Sequence, residues 1–108
     1  MLEVSQTEEL NESIKSHALE AVYLYTPMCG TCQVAGKMLE VVEKLPQSFH
    51  FVKANLNYLP QFAEEQSIES VPCLLLFKDG QEMERIYAFQ SVPFLYETIN
   101  KIQNNQWG

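Results

Sequence analysis

The most constraining feature of this 108-residue chain is a pair of cysteines, Cys29 and Cys32, placed where one hydrophobic pattern gives way to another. Leu19 to Thr26, just ahead of the pair, is rich in β-branched and aromatic residues and too uniformly apolar for a surface strand, so it predicts a central strand buried on both faces. From Cys29 to Leu45 the apolar residues Val34, Met38, Val41, Val42 and Leu45 recur at spacings of three and four, as in an amphipathic helix, and Pro46 then stops it. A dithiol is therefore expected at a strand-to-helix junction. Unpaired backbone N–H groups and the positive end of the helix dipole stabilise a thiolate there, which lowers the pKa of the first cysteine towards physiological pH. Cys29 reads as a nucleophile. Cys32, about one helical turn along, reads as the thiol that resolves the resulting mixed disulfide. Gly30 is expected to permit the tight turn into the helix, and the Thr31 hydroxyl to sit within reach of the sulfur, the two together tuning the pair.

The remaining pattern supplies a scaffold for that junction. Leu2 to Val4 predicts a short strand, and Ser5 with Glu8 has the spacing of a capping box ahead of a helix through about Lys15. Phe49 to Leu56 suits a strand, and Pro60 to about Gln66 a short helix begun by proline. Val71 to Lys78 predicts another buried strand. Lys78-Asp79-Gly80-Gln81 is a turn that returns the chain as an antiparallel strand through about Tyr87. Pro93 to Gln103 closes with a helix whose apolar side includes Phe94, Leu95, Thr98, Ile99 and Ile102. The order is β-α-β-α-β-α-β-β-α. It implies a mixed sheet in which right-handed crossovers place the early strands parallel and a final hairpin adds an antiparallel edge. With no linker, repeat or low-complexity tract, residues 1–108 are expected to form one domain.

Charge and cysteine usage narrow the setting. Seven Lys and Arg against 14 Asp and Glu give a formal charge of −7, which repels phosphate backbones and anionic lipid, so neither nucleic acid nor a membrane is an expected partner. The first ten residues carry three glutamates and no basic residue, unlike a secretory leader, and the apolar runs Ala21 to Tyr25 and Val71 to Phe77 are too short to span a bilayer. Three cysteines with one close pair make a poor disulfide framework for a secreted domain, and a reducing cytoplasm fits better. A CxxC is also half of a zinc site. The remaining ligand types, His17, His50 and Cys73, are dispersed without a second CxxC or an HxxxH spacing, so no metal is expected, and His17 and His50 read as surface or structural residues.

At this point the chain resembles the thioredoxin family from about Leu2 to Ile102. Met28-Cys29-Gly30-Thr31-Cys32 corresponds to the family's WCGPC signature. Val71-Pro72-Cys73, with Pro72 about forty positions beyond Cys32, is similar to its cis-proline signature. Lys53 falls at the position of the family lysine near the active site, and Leu74-Leu75-Leu76-Phe77-Lys78-Asp79-Gly80 is similar to the family's strand and turn. The resemblance implies an α/β thioredoxin-like fold with a central mixed sheet of about five strands and helices on both faces. It also implies a dithiol protein-disulfide reductase with no bound cofactor, acting as a monomer on disulfide-containing proteins and recharged by a flavin- and NADPH-dependent thioredoxin reductase. By the same resemblance Pro72 takes a cis bond and, with Val71 and Met28, presents a platform to a substrate strand. An ordinary strand-opening proline is the plainer alternative.

Departures from the pattern bear on mechanism. Met28 replaces the family tryptophan, exchanging a flat aromatic surface for an adaptable apolar side chain. Thr31 replaces the central proline and frees a further N–H near the sulfurs, which is expected to make the protein a weaker reductant. Tyr23 stands in place of the buried aspartate credited with proton transfer to the resolving cysteine. A tyrosine is a poor base near neutral pH, so resolution is expected to be slow unless Lys53, otherwise an exposed strand-end lysine, compensates. Ala88 stands where the family usually has glycine and is expected to narrow the groove. Cys73 reads either as a third thiol close to the dithiol or as a small buried strand residue, the latter favoured. Alternatives to the reductase are a glutaredoxin-like enzyme, prompted by Tyr25-Thr26-Pro27 although a CPYC motif is absent, a non-catalytic binding module, and a redox sensor.

Overall fold

A computed structural model of the chain describes residues 1–105. Five strands, β1 (Leu2–Glu3), β2 (Leu19–Tyr25), β3 (His50–Asn55), β4 (Cys73–Lys78) and β5 (Gln81–Ile86), form one sheet in the order β1-β3-β2-β4-β5. The helices are α1 (Thr7–Ser16), α2 (Gly30–Lys44), α3 (Pro60–Glu65) and α4 (Val92–Gln103), and a 3-10 turn at Leu56–Tyr58 leads from β3 into α3.

β2 is the central strand that its composition predicts. Its side chains alternate between two cores. Ala21 and Tyr23 pack with Leu39 and Val42 of α2 and Leu95, Ile99 and Ile102 of α4, whereas Val22 and Leu24 pack with Leu10 and Ile14 of α1 and Phe62 of α3. Helices thus cover both faces. Between β4 and β5, Asp79 and Gly80 both have positive φ, 52° and 82°, the type I′ hairpin geometry that aspartate and glycine tolerate. Asp79 N–H also donates to Ala18 O at 2.8 Å, tying the hairpin to the start of β2.

Four features differ from the sequence-based expectation. The first concerns strand direction. β1 and β3 run parallel, as do β2 and β3, but β4 is antiparallel to β2 as well as to β5. The antiparallel part of the sheet is therefore two strands wide and not a single edge. The six residues of α3 rise only about 9 Å, whereas β3 is about 20 Å long. The helix does not carry the chain back along the sheet, and the chain re-enters at the end it left, with Cys73 beside Leu24.

The second is the start of α1. Gln6, in extended backbone with no side-chain cap, occupies the N-cap, and the Ser5–Glu8 capping box does not form. Glu9 reaches back instead, accepting from Ser5 N–H at 3.4 Å.

The third is the face that α2 buries. Cys32, Ala35, Leu39 and Val42 point inward, while Val34 and Val41 are 57% and 49% exposed. The true stripe lies about one residue, or 100°, round the helix from the one read off valine and methionine spacing. The alanine and cysteine on it carry little hydrophobic signal.

The fourth is Glu20, in the middle of the apolar run, which is 0% exposed. It accepts from the Ser13 hydroxyl and from His50 Nδ1, the latter at 2.6 Å. His17 and His50 are thus partnered through tertiary structure, a relation that linear spacing does not carry.

The packing separates two side chains that look alike in sequence. Leu39→Ala should destabilise the fold by about 2–5 kcal/mol, the range for a large-to-small core change, whereas Val34→Ala should stay within about 0.5 kcal/mol. Urea unfolding midpoints of the two variants measure the difference.

Candidate active site

Cys29 ends the loop that follows β2 and forms the N-cap of α2, with extended backbone at φ −119° and ψ 106°. A capping side chain accepts an N–H that the helix itself leaves unpaired. Here the acceptor is sulfur, and Cys32 N–H donates to Cys29 Sγ at 3.1 Å. The Thr31 hydroxyl lies 3.4 Å from the same sulfur, which bears out the reach expected of it. Cys29 and Cys32 are joined as a disulfide, with Cα atoms 5.2 Å apart, within the usual span of such a bond. The two sulfurs differ in access: Cys29 is partly exposed and Cys32 is buried. Gly30 has ordinary helical backbone and open space where a Cβ would project. Contrary to expectation, then, the turn into the helix does not require glycine.

Two depressions flank the pair. One, about 400 Å³, is lined by Thr31 and Val34 of α2, Pro72, and Ala88 and Phe89 beyond β5. Val71–Pro72 is a cis peptide. It reaches the dithiol end of the sheet because β4 begins there, with Cys73 paired to Leu24. Val71 also lies ahead of β4, although its side chain packs towards the α1/α3 core and not into the groove. Met28, 97% exposed, stands beside Cys29 with nothing covering it. Val34 and Phe89 line this groove without having been singled out from the sequence. The only linear signal for Val34 was membership of an apolar stripe, and its exposure gives that stripe a surface role.

The second depression, about 360 Å³, brings Tyr23, Tyr25 and Lys53 together with Cys32. Tyr23 and Lys53 are register partners across β2 and β3. The Tyr23 hydroxyl donates to Cys32 O, and burial pushes its pKa to about 12. It is therefore a neutral donor fastening the first turn of α2 to the sheet, not a proton acceptor. Gly36 faces this contact, and a Cβ there would meet the tyrosine ring at 3.5 Å, an ordinary van der Waals distance. Lys53 sits 3.9 Å from Glu3 Oε1, and Glu3 also accepts from the Tyr25 hydroxyl. Desolvation and that hydrogen bond raise Tyr25 to about 12.

Cys73 is fully buried in the core on the α1/α3 side of the sheet, whereas α2 covers the other side. Burial pushes its thiol up to about 12. The buried-residue reading therefore holds, and the third thiol is not positioned with the pair. Among the described residues no helix is long and apolar enough to cross a membrane.

A half-exposed N-cap cysteine, a buried partner one turn later and a cis-proline facing them, all at one end of a mixed sheet, define a dithiol–disulfide oxidoreductase of thioredoxin fold. Comparison with known proteins agrees. The family model described as Thioredoxin matches residues 1–101. The chain is 52% identical to the thioredoxin-like protein YusE of Bacillus subtilis over 96 residues, covering 86% of this chain and 91% of that one. It is 31% identical to the thioredoxin of Chlamydia trachomatis serovar D, covering 95% of this chain and all of that one. A thioredoxin from Halobacterium salinarum superimposes with a TM-score of 0.84 at 23% identity, over 93% of this chain and 88% of that one. The oxidised form of mitochondrial thioredoxin 3 from Saccharomyces cerevisiae gives 0.80 at 24%, over 94% of each. The chain belongs to the thioredoxin family, and its activity is thiol–disulfide exchange on protein disulfides through a CxxC dithiol. Membership points to disulfide-containing proteins as substrates and a thioredoxin reductase as partner.

The raised groups give the fold an alkaline limit. Unfolded, the Cys73 thiol ionises near 9.0 and the two phenols near 10.0, whereas in the fold all three hold their protons to about 12. The unfolded chain binds fewer protons inside that window. Their stabilising contribution is therefore complete below pH 9 and is lost as pH rises towards 12. Urea midpoints should fall progressively across that interval, and Cys73→Ala should flatten the first part of the decline. At neutral pH the native oxidised protein should resist alkylation by iodoacetamide and the unfolded protein take up one label.

Proposed function

We propose that this chain acts as a monomeric, single-domain reductant of protein disulfides in the cytoplasm, with Cys29 as attacking and Cys32 as resolving thiol and no bound cofactor. The observation that carries this assignment is the asymmetry at the head of α2: the accessible sulfur receives the Cys32 N–H, and the other sulfur is buried behind it. A donor aimed at Cys29 Sγ favours the anion that attack requires. The Cys29 thiolate attacks one sulfur of a substrate disulfide, forming a mixed disulfide and expelling the other sulfur as thiolate. Cys32, deprotonated, then attacks Cys29 Sγ, closing the Cys29–Cys32 disulfide and expelling the second substrate thiolate. The substrate gains two electrons and the dithiol loses them. A flavin- and NADPH-dependent reductase restores the dithiol.

Docking is assigned to the groove beside the pair. An extended substrate segment would lie along the backbone of Val71 and Pro72, with Met28 and Val34 as apolar contacts on either side of Cys29 and with Ala88 narrowing the far wall. Gly30 leaves the approach to Cys29 open. Resolution lacks the buried acid of the family, because Tyr23 is protonated to about 12. Lys53 lines the same cleft as Cys32, together with Lys37 and Glu40, and on this reading assists that proton transfer.

Two measurements test these roles. Cys32→Ser should accumulate covalent mixed disulfides with substrate proteins, while Cys29→Ser should form none. Trapping by Cys29→Ser and not by Cys32→Ser would reverse the assignment, and a domain that binds partners without turnover would form neither adduct and keep its affinity. In a dithiol redox buffer, the Cys29–Cys32 couple should equilibrate at a potential less negative than about −270 mV, the value for thioredoxin itself, with Thr31→Pro moving it downward.

A further inference from the structure

At the end of the sheet opposite the dithiol, three metal-ligating side chains that are scattered in sequence meet around one buried carboxylate. Glu20 and His50 are register partners on the adjacent parallel strands β2 and β3, so their side chains emerge on the same face. His17, the C-cap of α1, folds over them. One donor atom from each of His17, Glu20 and His50 lies within 4.8 Å of the other two. His50 Nδ1 is 2.6 Å from Glu20 Oε1 and His17 Nδ1 is 3.7 Å from Glu20 Oε2, so both rings turn the same nitrogen towards the carboxylate. The two imidazoles are stacked with centroids 3.7 Å apart and planes 3° from parallel.

We propose that His17, Glu20 and His50 form a binding site for a divalent transition-metal ion of the zinc type. The chemistry of the donors fits. Two imidazole nitrogens and one carboxylate oxygen are a recurrent ligand set for such ions, with a fourth position left to water. The carboxylate is also already held in place. It is 0% exposed, and Ser13 donates to its Oε2, an outer hydrogen bond of the kind that orients a metal ligand. A fully buried carboxylate is costly unless a positive charge compensates it, and a dication at this point supplies that charge within a chain whose net charge is −7.

Loading requires two small changes. In parallel planes the two rings cannot both point their Nδ1 lone pairs at one ion, so the stack opens into a V. The side chains of His17 and His50 are 37% and 36% exposed, which leaves them room to tilt. Each Nδ1 must present a lone pair to the ion, any proton on it passing to Nε2 or to solvent, so His17 gives up its 2.8 Å bond to Ser13 O and His50 its 2.6 Å bond to Glu20 Oε1. Because the ion joins the end of α1 to β2 and β3, its binding braces α1 against the sheet. The cysteines take no part: β2 runs from Glu20 to Tyr25 between the two sites, about 16 Å of strand.

The test titrates zinc ion into chelator-treated protein in its disulfide form, where neither Cys29 nor Cys32 offers a thiolate, and follows heat and thermal unfolding. The expected result is saturable binding of one ion per chain and a rise in Tm with zinc. His17→Ala and His50→Ala should each weaken binding at least about tenfold, as removal of a ligand or its support does, with disulfide-reductase turnover retained. His17→Gln serves as a second variant should either alanine change impair folding, as judged by circular dichroism. Cobalt substitution should give visible bands without thiolate charge transfer. No saturable binding up to millimolar zinc would overturn the proposal. So would binding that survives loss of both histidines, or binding that requires the reduced dithiol.

Discussion

The register that sets Cys73 of β4 against Leu24 of β2 is the constraint on which the functional end of this molecule depends. β2 delivers the chain to Cys29, and the antiparallel return of β4 starts from that same end. Pro72, the residue before β4, is thereby held at the same end of the sheet as the dithiol, where it shares a depression with Thr31. Because both strands are central and buried, a slip of one residue would turn every apolar side chain to the wrong core. The distance from proline to dithiol is thus held by hydrophobic packing on both faces of the sheet, and no bond between the two segments is needed.

The same geometry explains the division of labour between the sulfurs. The head of α2 leaves N–H groups unpaired, and a cysteine at the N-cap satisfies one of them with sulfur. The buried side of that helix holds Cys32, whose carbonyl is fastened to the central strand by Tyr23. In the usual arrangement of this family an acid occupies the Tyr23 position. The phenol retains a hydrogen-bonded anchor at the same depth but surrenders the ability to take a proton, since burial keeps it neutral to about 12. Structural support and proton transfer, combined elsewhere in one side chain, are separated here. Lys37, Glu40 and Lys53 line the cleft beside Cys32, and the proposed assistance falls to this wall.

At the opposite end of β2, burial of Glu20 follows from the topology. A strand flanked by two others and covered by helices has no solvent-facing position, so a carboxylate there must find its partners inside. Ser13 from α1 and His50 from β3 supply them, and His17 stacks on His50. Like the cis-proline beside the dithiol, this cluster draws on segments far apart in sequence and exists only through strand pairing.

Much of this structure was legible in the sequence because it is encoded locally. Periodicity of 2 or 3.6 distinguishes strand from helix, and Pro46, Pro60 and Asp79-Gly80 punctuate the chain. The order of elements, the placement of Cys29 and Cys32 at a strand-to-helix junction and the position of the final turn all followed from such signals. Tertiary structure alone decided the direction of β4, the face that α2 buries, the side of the sheet on which Cys73 lies and the meeting of His17 with Glu20 and His50. The physical reason is common to all four. A hydrophobic period states that an element has an inside without fixing which residues face which neighbour, and a connecting segment of this length does not itself say at which end of the sheet the chain re-enters. Those are decided when the sheet assembles, by the burial it must complete and the polar groups it must satisfy.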